Sequence, residues 1–289
     1  MIKVHKIGSL KYTPFDMNFI IEDFDYLRKR GIKLVSNKKE ADLFVASDSK
    51  SLIKFILKNP SYRNYLIWSN EPRLSKINSS FYHPFLFFPK VHVMNIYTGD
   101  IFINNLTYQK SRFTKTLKLQ LLTPDIFEFH TKKLVGLMSF YAGGKNSEII
   151  INKINIDLIY TRNKIALYGF KKGLMDIYGK GWPQGISMED SRIGEWVSRK
   201  QQILSKYHFN LCFENTVYPK YVTEKIWDSI ENYCLPIYYG GKKSSIYDVF
   251  PKNSFIDYSL FDNPENLFNF ILNICISGIF PNYRKYSYI

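Results

Sequence analysis

The chain is predicted to be an α/β protein built on parallel sheets, and three observations carry that expectation. Short β-rich runs alternate with helical patterns along nearly the whole length, the order that threads parallel strands through crossover helices. The 289 residues are 45% hydrophobic, which supplies apolar side chains for one large core or two of ordinary size. No window reaches the roughly 18 uninterrupted apolar residues of a membrane span, and the amino terminus, MIKVHKIGSLKYTPFD, lacks the apolar stretch of a secretory leader.

In the first half, β-rich runs at 2–7, 32–35, 43–46, 65–68 and 85–93 are predicted strands, and helical patterns fill 18–30 and 51–57. The second half alternates more cleanly: strand 134–141, helix 162–172, strand 175–178, helix 193–206, strand 209–213, helix 223–232 and strand 235–239. A short strand near Phe255 and an amphipathic helix from Pro264 complete one Rossmann-like unit. No acidic residue lies between Asp100 and Asp125, whereas Lys110, Arg112, Lys115 and Lys118 all fall there, just ahead of the second strand series. The boundary is therefore expected between Thr123 and Lys132, giving domains 1–130 and 131–289. Neither an internal repeat nor a low-complexity tract is present.

Forty Lys and Arg against 25 Asp and Glu give a net charge of +15, and 22 Tyr, 23 Phe and 4 Trp make the chain rich in rings. Cations meet phosphates and rings stack on bases, so this composition admits a nucleic-acid-binding module. It equally fits a Lys-, Ile-, Asn-, Tyr- and Phe-rich chain with thinly spread surface charge, and only clustering would favour the first reading. Residues 1–132 hold 21 basic and 11 acidic side chains, so most of the excess lies in the first domain. Cys212, Cys234 and Cys275 are odd in number and sit in apolar runs without CxxC spacing, as thiols do in a reducing interior. Asp23-Phe-Asp25 matches a DxD metal pattern, but its place in an amphipathic helical pattern leading to Arg28 and Arg30 assigns it to helix-surface ion pairs. The aromatic run with Phe81, Tyr82, Phe85, Phe87 and Phe88 is expected to alternate into the core, and His83 and His92 make weak metal evidence. His208, beside a predicted strand, is expected to be packed.

The informative stretch is YHFNLCFENTVYPKYVTEKIWD from Tyr207, followed by LPIYYGG from Leu235. Its grammar is strand, polar loop, helix, strand, and ligands bind where a parallel strand ends and a helix begins. Thr223 is a good N-cap, aiming free helix amides into the loop. Lys225 places a positive charge at the helix end where it is electrostatically disfavoured, a conflict expected where an anion is bound. An exposed lysine next to an ordinary helix-start glutamate, Glu224, is the alternative.

FNLCFENT, YVTEK six residues beyond Asn215, and LPIYYGG together resemble the donor-site signature of the α-1,3/4-fucosyltransferases, glycosyltransferase family 10, bacterial members above all. The resemblance is close from Ile203 to Phe255 and looser over the rest of the second domain. It implies a GT-B-like fold, two Rossmann-like domains with parallel sheets facing a central cleft, the first for the acceptor sugar and the second for GDP-fucose. On the same basis Asn215, Tyr221, Glu224 and Lys225 fall on donor-binding positions. Glu224 would accept from ribose hydroxyls and Lys225 would neutralise the diphosphate. Glu214 would touch nucleotide or sugar, or else serve as a structural carboxylate. Arg162 stands at the position of a diphosphate-binding arginine, whose guanidinium forks onto phosphate oxygens. The segment 142–161 is longer than in the family, which leaves Lys145 and Arg192 as substitutes.

In the first domain, Leu66-Ile-Trp-Ser-Asn70-Glu71-Pro72 resembles the family segment carrying the general base, a role for Glu71 in an inverting transfer. No cofactor and no catalytic metal is expected, because two cations and a helix dipole supply the leaving-group charge. The expected partners are GDP-fucose and an acceptor oligosaccharide, without nucleic acid. The expected location is cytoplasmic, with peripheral contact to a membrane or anionic glycan through Lys110, Arg112, Lys115 and Lys118. Two rivals stand beside this reading: the same fold with another GDP-sugar, and the nucleic-acid module.

Overall fold

The computed structural model describes residues 1–10, 27–69, 89–95, 114–120, 131–141, 148–151, 153–190, 194–219, 221–241 and 244–277, together with 13, 15, 72, 81, 82 and 112. The chain divides into two compact units, Met1–Ser111 and Arg112–Ile289. This division falls ahead of the 130/131 boundary expected from sequence. Ion pairs from Arg112 and Lys115 to carboxylates of the second unit account for the difference.

The first unit holds β1 (Ile2–Ile7), β2 (Ile32–Leu34), β3 (Leu43–Ala46), β4 (Tyr65–Ser69), β5 (Phe81–Tyr82) and β6 (Val91–Asn95), in the order β2-β1-β3-β4-β6-β5. Every described neighbour pair is parallel except β5 with β6. Along β3 consecutive residues go to opposite cores: Phe44 and Ala46 join Leu52, Ile56 and Ile67, while Val45 joins Val4, Leu10 and Trp68. A strand buried on both faces must be apolar at every position, which is why this stretch reads as a continuous hydrophobic run. Helix α1 (Ser49–Lys58) starts at Asp48, whose side chain accepts from Ser51 N at 2.7 Å. Most of the predicted helix 18–30 and residues 83–88 lie outside the described residues.

In the second unit, β7 (Leu134–Leu137), β10 (Met175–Tyr178), β11 (Phe209–Leu211), β12 (Leu235–Tyr238) and β13 (Ile256–Asp257) form a parallel sheet in the order β10-β7-β11-β12-β13. Between β7 and β10 lie an antiparallel hairpin, β8 (Ile150–Ile151) and β9 (Ile154–Asn155), and helix α2 (Ile159–Lys171). Then follow α3 (Trp196–Leu204), α4 (Glu224–Glu231), α5 (Ile246–Val249) and α6 (Pro264–Ser277). The hairpin falls in the long 142–161 segment where no element is predicted, and Lys153 turns it at φ 65°. Gly169 lets α2 lie close to the sheet and to α6. A Cβ there would come within 2.3 Å of the Phe268 ring and 2.7 Å of Met175 Cβ. The core beneath contains Leu134, Ile165, Phe209, Ile237 and Ile271.

The chain passes from β7 to β10 on one side and returns to β11 on the other, so β7 and β11 flank the topological switch point. Ligands of open α/β sheets sit at the carboxyl ends of such strands.

Candidate functional site

Two loop segments meet at that point. Leu158 N donates to Asn215 O at 3.0 Å, Val217 N donates to Ile156 O at 2.8 Å, and Asp157 bridges Thr216 antiparallel. This short pairing sets the start of α2 against the loop after β11. The helix begins at Ile159, three residues before the predicted start, so Arg162 sits in its first turn. Arg162 is 7% exposed, and its Nη1 donates to the Phe213 carbonyl at 3.2 Å. Of the two substitutes considered for it, Lys145 and Arg192, both lie outside the described residues.

Glu214 organises the loop. Its carboxylate is 2% exposed and accepts from Thr223 N (2.8 Å), Thr223 Oγ1 (2.8 and 2.9 Å), Lys225 Nζ (2.9 Å) and the Tyr238 hydroxyl (3.2 Å). Of the two roles considered for Glu214, these contacts are those of the structural carboxylate, with donors drawn from loop, helix and β12. Thr223 occupies the N-cap position of α4, yet its side chain does not cap the helix. The hydroxyl turns instead to the buried charge, since a hydrogen bond to an ionised acceptor is about twice as strong as a neutral one. The first-turn amides of α4 are therefore left without a side-chain acceptor from the cap residue, facing the loop.

Lys225 bonds Glu214, Thr223 Oγ1 at 2.8 Å and Glu224 at 3.4 Å. The conflict of a lysine at a helix start is thus resolved by a carboxylate the local sequence does not advertise, eleven residues away. Burial alone would lower the Lys225 pKa, but Glu214 and Glu224 outweigh it and hold the ammonium well above its usual range. At Glu224 burial pushes upward, while Lys225, Lys200 and local hydrogen bonds prevail and bring it down to about 2. A carboxylate depressed in the folded state adds stability above its ordinary value of 4.5 that is lost as pH falls towards 2. The thermal midpoint of Glu224→Gln is therefore expected to fall less than that of the parent chain across this acid window. Equal slopes in both proteins, followed by circular dichroism, would exclude the assignment. Asn215 is half-buried in the same loop and Tyr221 is packed at 3% exposure.

One set of ion pairs had no sequence signal. On α4, Asp228 pairs with Lys200 and Arg112 at 2.5 Å each, and Glu231 pairs with Arg112 and Lys115 at 2.6 Å each. The partners lie 28 residues away or more than a hundred, beyond any helical or strand period. Arg112 and Lys115, expected to face a membrane or anionic glycan, are engaged here; Lys118 is exposed and Lys110 lies outside the described residues. Also outside them are Glu71, Asp23, Asp25, His83, Phe85, Phe87 and Phe88. His208 is packed at 8% exposure. The three cysteines are free thiols. Among the described residues no His, Cys, Asp and Glu side chains gather as for a metal ion, and no helix is long and apolar enough to cross a membrane.

The structure is similar to a solved alpha1,3-fucosyltransferase crystallised with GDP-fucose, with a TM-score of 0.53 and 18% identity, covering 98% of this chain and 82% of that one. A crystal structure titled alpha1,3-fucosyltransferase with GDP gives a TM-score of 0.51 at 17% identity over the same shares. At such identities the likeness establishes the fold, GT-B-like with two parallel sheets. Among curated proteins, the 4-galactosyl-N-acetylglucosaminide 3-alpha-L-fucosyltransferase of Pongo pygmaeus is 34% identical over 101 residues, 34% of this chain and 24% of the relative. The 3-galactosyl-N-acetylglucosaminide 4-alpha-L-fucosyltransferase of Homo sapiens is 32% identical over the same shares. The match thus spans about a quarter of these relatives' length. The family description "Glycosyltransferase family 10 (fucosyltransferase) C-term" matches residues 169–286, which include β10, the loop after β11 and α4. Over those residues the chain is similar to glycosyltransferase family 10.

Proposed function

We propose that the protein transfers L-fucose from GDP-fucose to a hydroxyl of an acceptor glycan, with inversion at the anomeric carbon. What supports this reading is that four candidates stand on adjoining segments: Arg162 bonds the carbonyl of Phe213, two residues before Asn215, and Glu224 and Lys225 open the helix into which the same loop leads. Three of the four lie inside the family-matched residues. The second unit holds the donor. Arg162 and Lys225 face the diphosphate, the amides of α4 add the positive end of the helix dipole, and Glu224, ionised at neutral pH, accepts from ribose hydroxyls. As the glycosidic bond to GDP breaks, charge develops on the leaving phosphate, and these fixed groups stabilise it without reorganising. Glu71, in the first unit, takes the proton of the acceptor hydroxyl as it attacks the opposite face of the sugar. The free thiols fit a reducing compartment.

The test is product analysis with GDP-fucose, GDP-mannose and GDP-rhamnose over a panel of neutral acceptors. Turnover with GDP-fucose and an α-linked product are expected, and preference for another GDP-sugar would replace the donor assignment. Turnover is expected to persist in EDTA; loss in chelator with recovery in manganese would overturn the metal-independent route. Arg162→Lys is expected to weaken GDP binding about tenfold or more, because an ammonium cannot replace the fork of a guanidinium. Unchanged affinity by calorimetry would remove Arg162 from the donor site.

A further inference from the structure

A cavity of about 410 Å³ on the second unit lies outside the donor loop. Its described lining includes Tyr160, Asn163, Lys164, Tyr168 and Lys171, all from one face of α2, with Tyr141 from the segment after β7. Consecutive helix residues point about 100° apart, so Arg162 turns to the β11 loop while Asn163 turns to this cavity. Tyr141 and Tyr160 are 59% and 64% exposed, large rings left open to solvent beside it. Asn163 is 7% exposed; its Nδ2 donates to Tyr141 O at 3.1 Å, and its Oδ1 has no protein partner among the described residues. A buried amide oxygen without a partner among the described residues is open to a donor from a ligand. Among the described lining residues there are two ammonium groups and no carboxylate.

We propose that this cavity is a secondary binding site for an acidic oligosaccharide, separate from the transfer centre. Tyrosine rings pack against the C–H faces of pyranose rings, the Asn163 oxygen accepts from a sugar hydroxyl, and the lysines pair with carboxylates. Lys164 and Lys171 stand seven residues apart on α2, about 10 Å along the axis and about the length of two pyranose rings, which suits a chain charged at alternate rings. A nucleic-acid strand carries a phosphate on every nucleotide and would place charge more densely than this pair. The inference rests on the glycan-transfer reading only for the class of ligand, and binding without donor separates the two.

The experiment titrates the full chain, without GDP-sugar, with a hyaluronan hexasaccharide, which bears a carboxylate on alternate rings. Chitohexaose serves as the neutral control and a ten-residue oligothymidylate as the nucleic-acid control. Hyaluronan is expected to bind best and to weaken with added salt. The Lys164→Ala/Lys171→Ala double variant and Tyr160→Ala are each expected to bind about tenfold more weakly, a change near 1.4 kcal/mol. Tyr160→Phe should bind as the parent does, and GDP affinity should be unchanged in all three variants. Absent hyaluronan binding, equal binding of chitohexaose, tighter binding of oligothymidylate, unaltered affinity in the variants, or displacement by GDP would each overturn the proposal. Loss of GDP binding by the parent chain would instead count against the transfer reading.

Discussion

Lys225→Met is expected to cost both stability and donor affinity. Glu214 is 2% exposed, and Lys225 is its cationic partner at 2.9 Å. Removing one side of a buried pair leaves an uncompensated charge, typically a loss of 3–5 kcal/mol. The Thr223 amide and hydroxyl and the Tyr238 hydroxyl still solvate the carboxylate, so a loss of about 3 kcal/mol is expected. In a chain of this size that lowers the thermal midpoint by roughly 6–12 °C. On the proposed donor site GDP affinity should also fall more than tenfold, since the charge assigned to the diphosphate is removed. Glu214→Gln separates the two effects: it also destabilises, but keeps the cation and should bind GDP at least as well as the parent. Scanning calorimetry and GDP titration on both variants check this. A Lys225→Met protein with parental stability would show that Glu214 does not need its cation, and one with parental GDP affinity would remove Lys225 from the donor site.

Glu71→Gln is expected to reduce transfer by about a hundredfold to ten thousandfold, the usual contribution of a positioned base. The amide keeps the shape of the carboxylate and loses only the ability to take a proton. GDP affinity and thermal midpoint should therefore stay near the parental values. The acid limb of the rate profile, set by the protonation of this carboxylate, should disappear with it. Turnover within a few-fold of the parent would assign the proton transfer to another group, and loss of GDP binding would make Glu71 a donor-site residue instead.

The second unit was the more legible half of the sequence. Its strands are short apolar runs bounded by helical patterns, and β10 falls where the spacing predicts it, while β7, β11 and β12 are shorter at their carboxyl ends. For β11 the trimming has a physical cause: past Leu211 the chain leaves the ladder, and the Phe213 carbonyl accepts from Arg162 of α2 instead. The polar loop and α4 were equally legible, because FENT and YVTEK sit together within one strand-loop-helix frame. What Glu214 does was not legible, since a strand-end glutamate reads alike whether it meets a ligand or its own loop. The Thr223 hydroxyl was misplaced for the same reason, as a cap preference ignores a buried carboxylate nine residues upstream.

By itself the sequence determined the class of fold, most of the strands and helices of the second unit, and the loop and helix start on which the proposed donor residues lie. These follow from short-range periodicity and from motifs whose members lie within a few turns of one another. Only the tertiary structure decided which charges neutralise one another and which remain for a ligand. Lys225 is balanced by Glu214, Arg112 and Lys115 are tied to Asp228 and Glu231, and Arg162 reaches Phe213 across 51 residues of chain. Net charge is additive along a sequence, but the field at a site depends on distance and burial. The +15 therefore fixed neither partner nor place until the folded chain brought its carboxylates into contact.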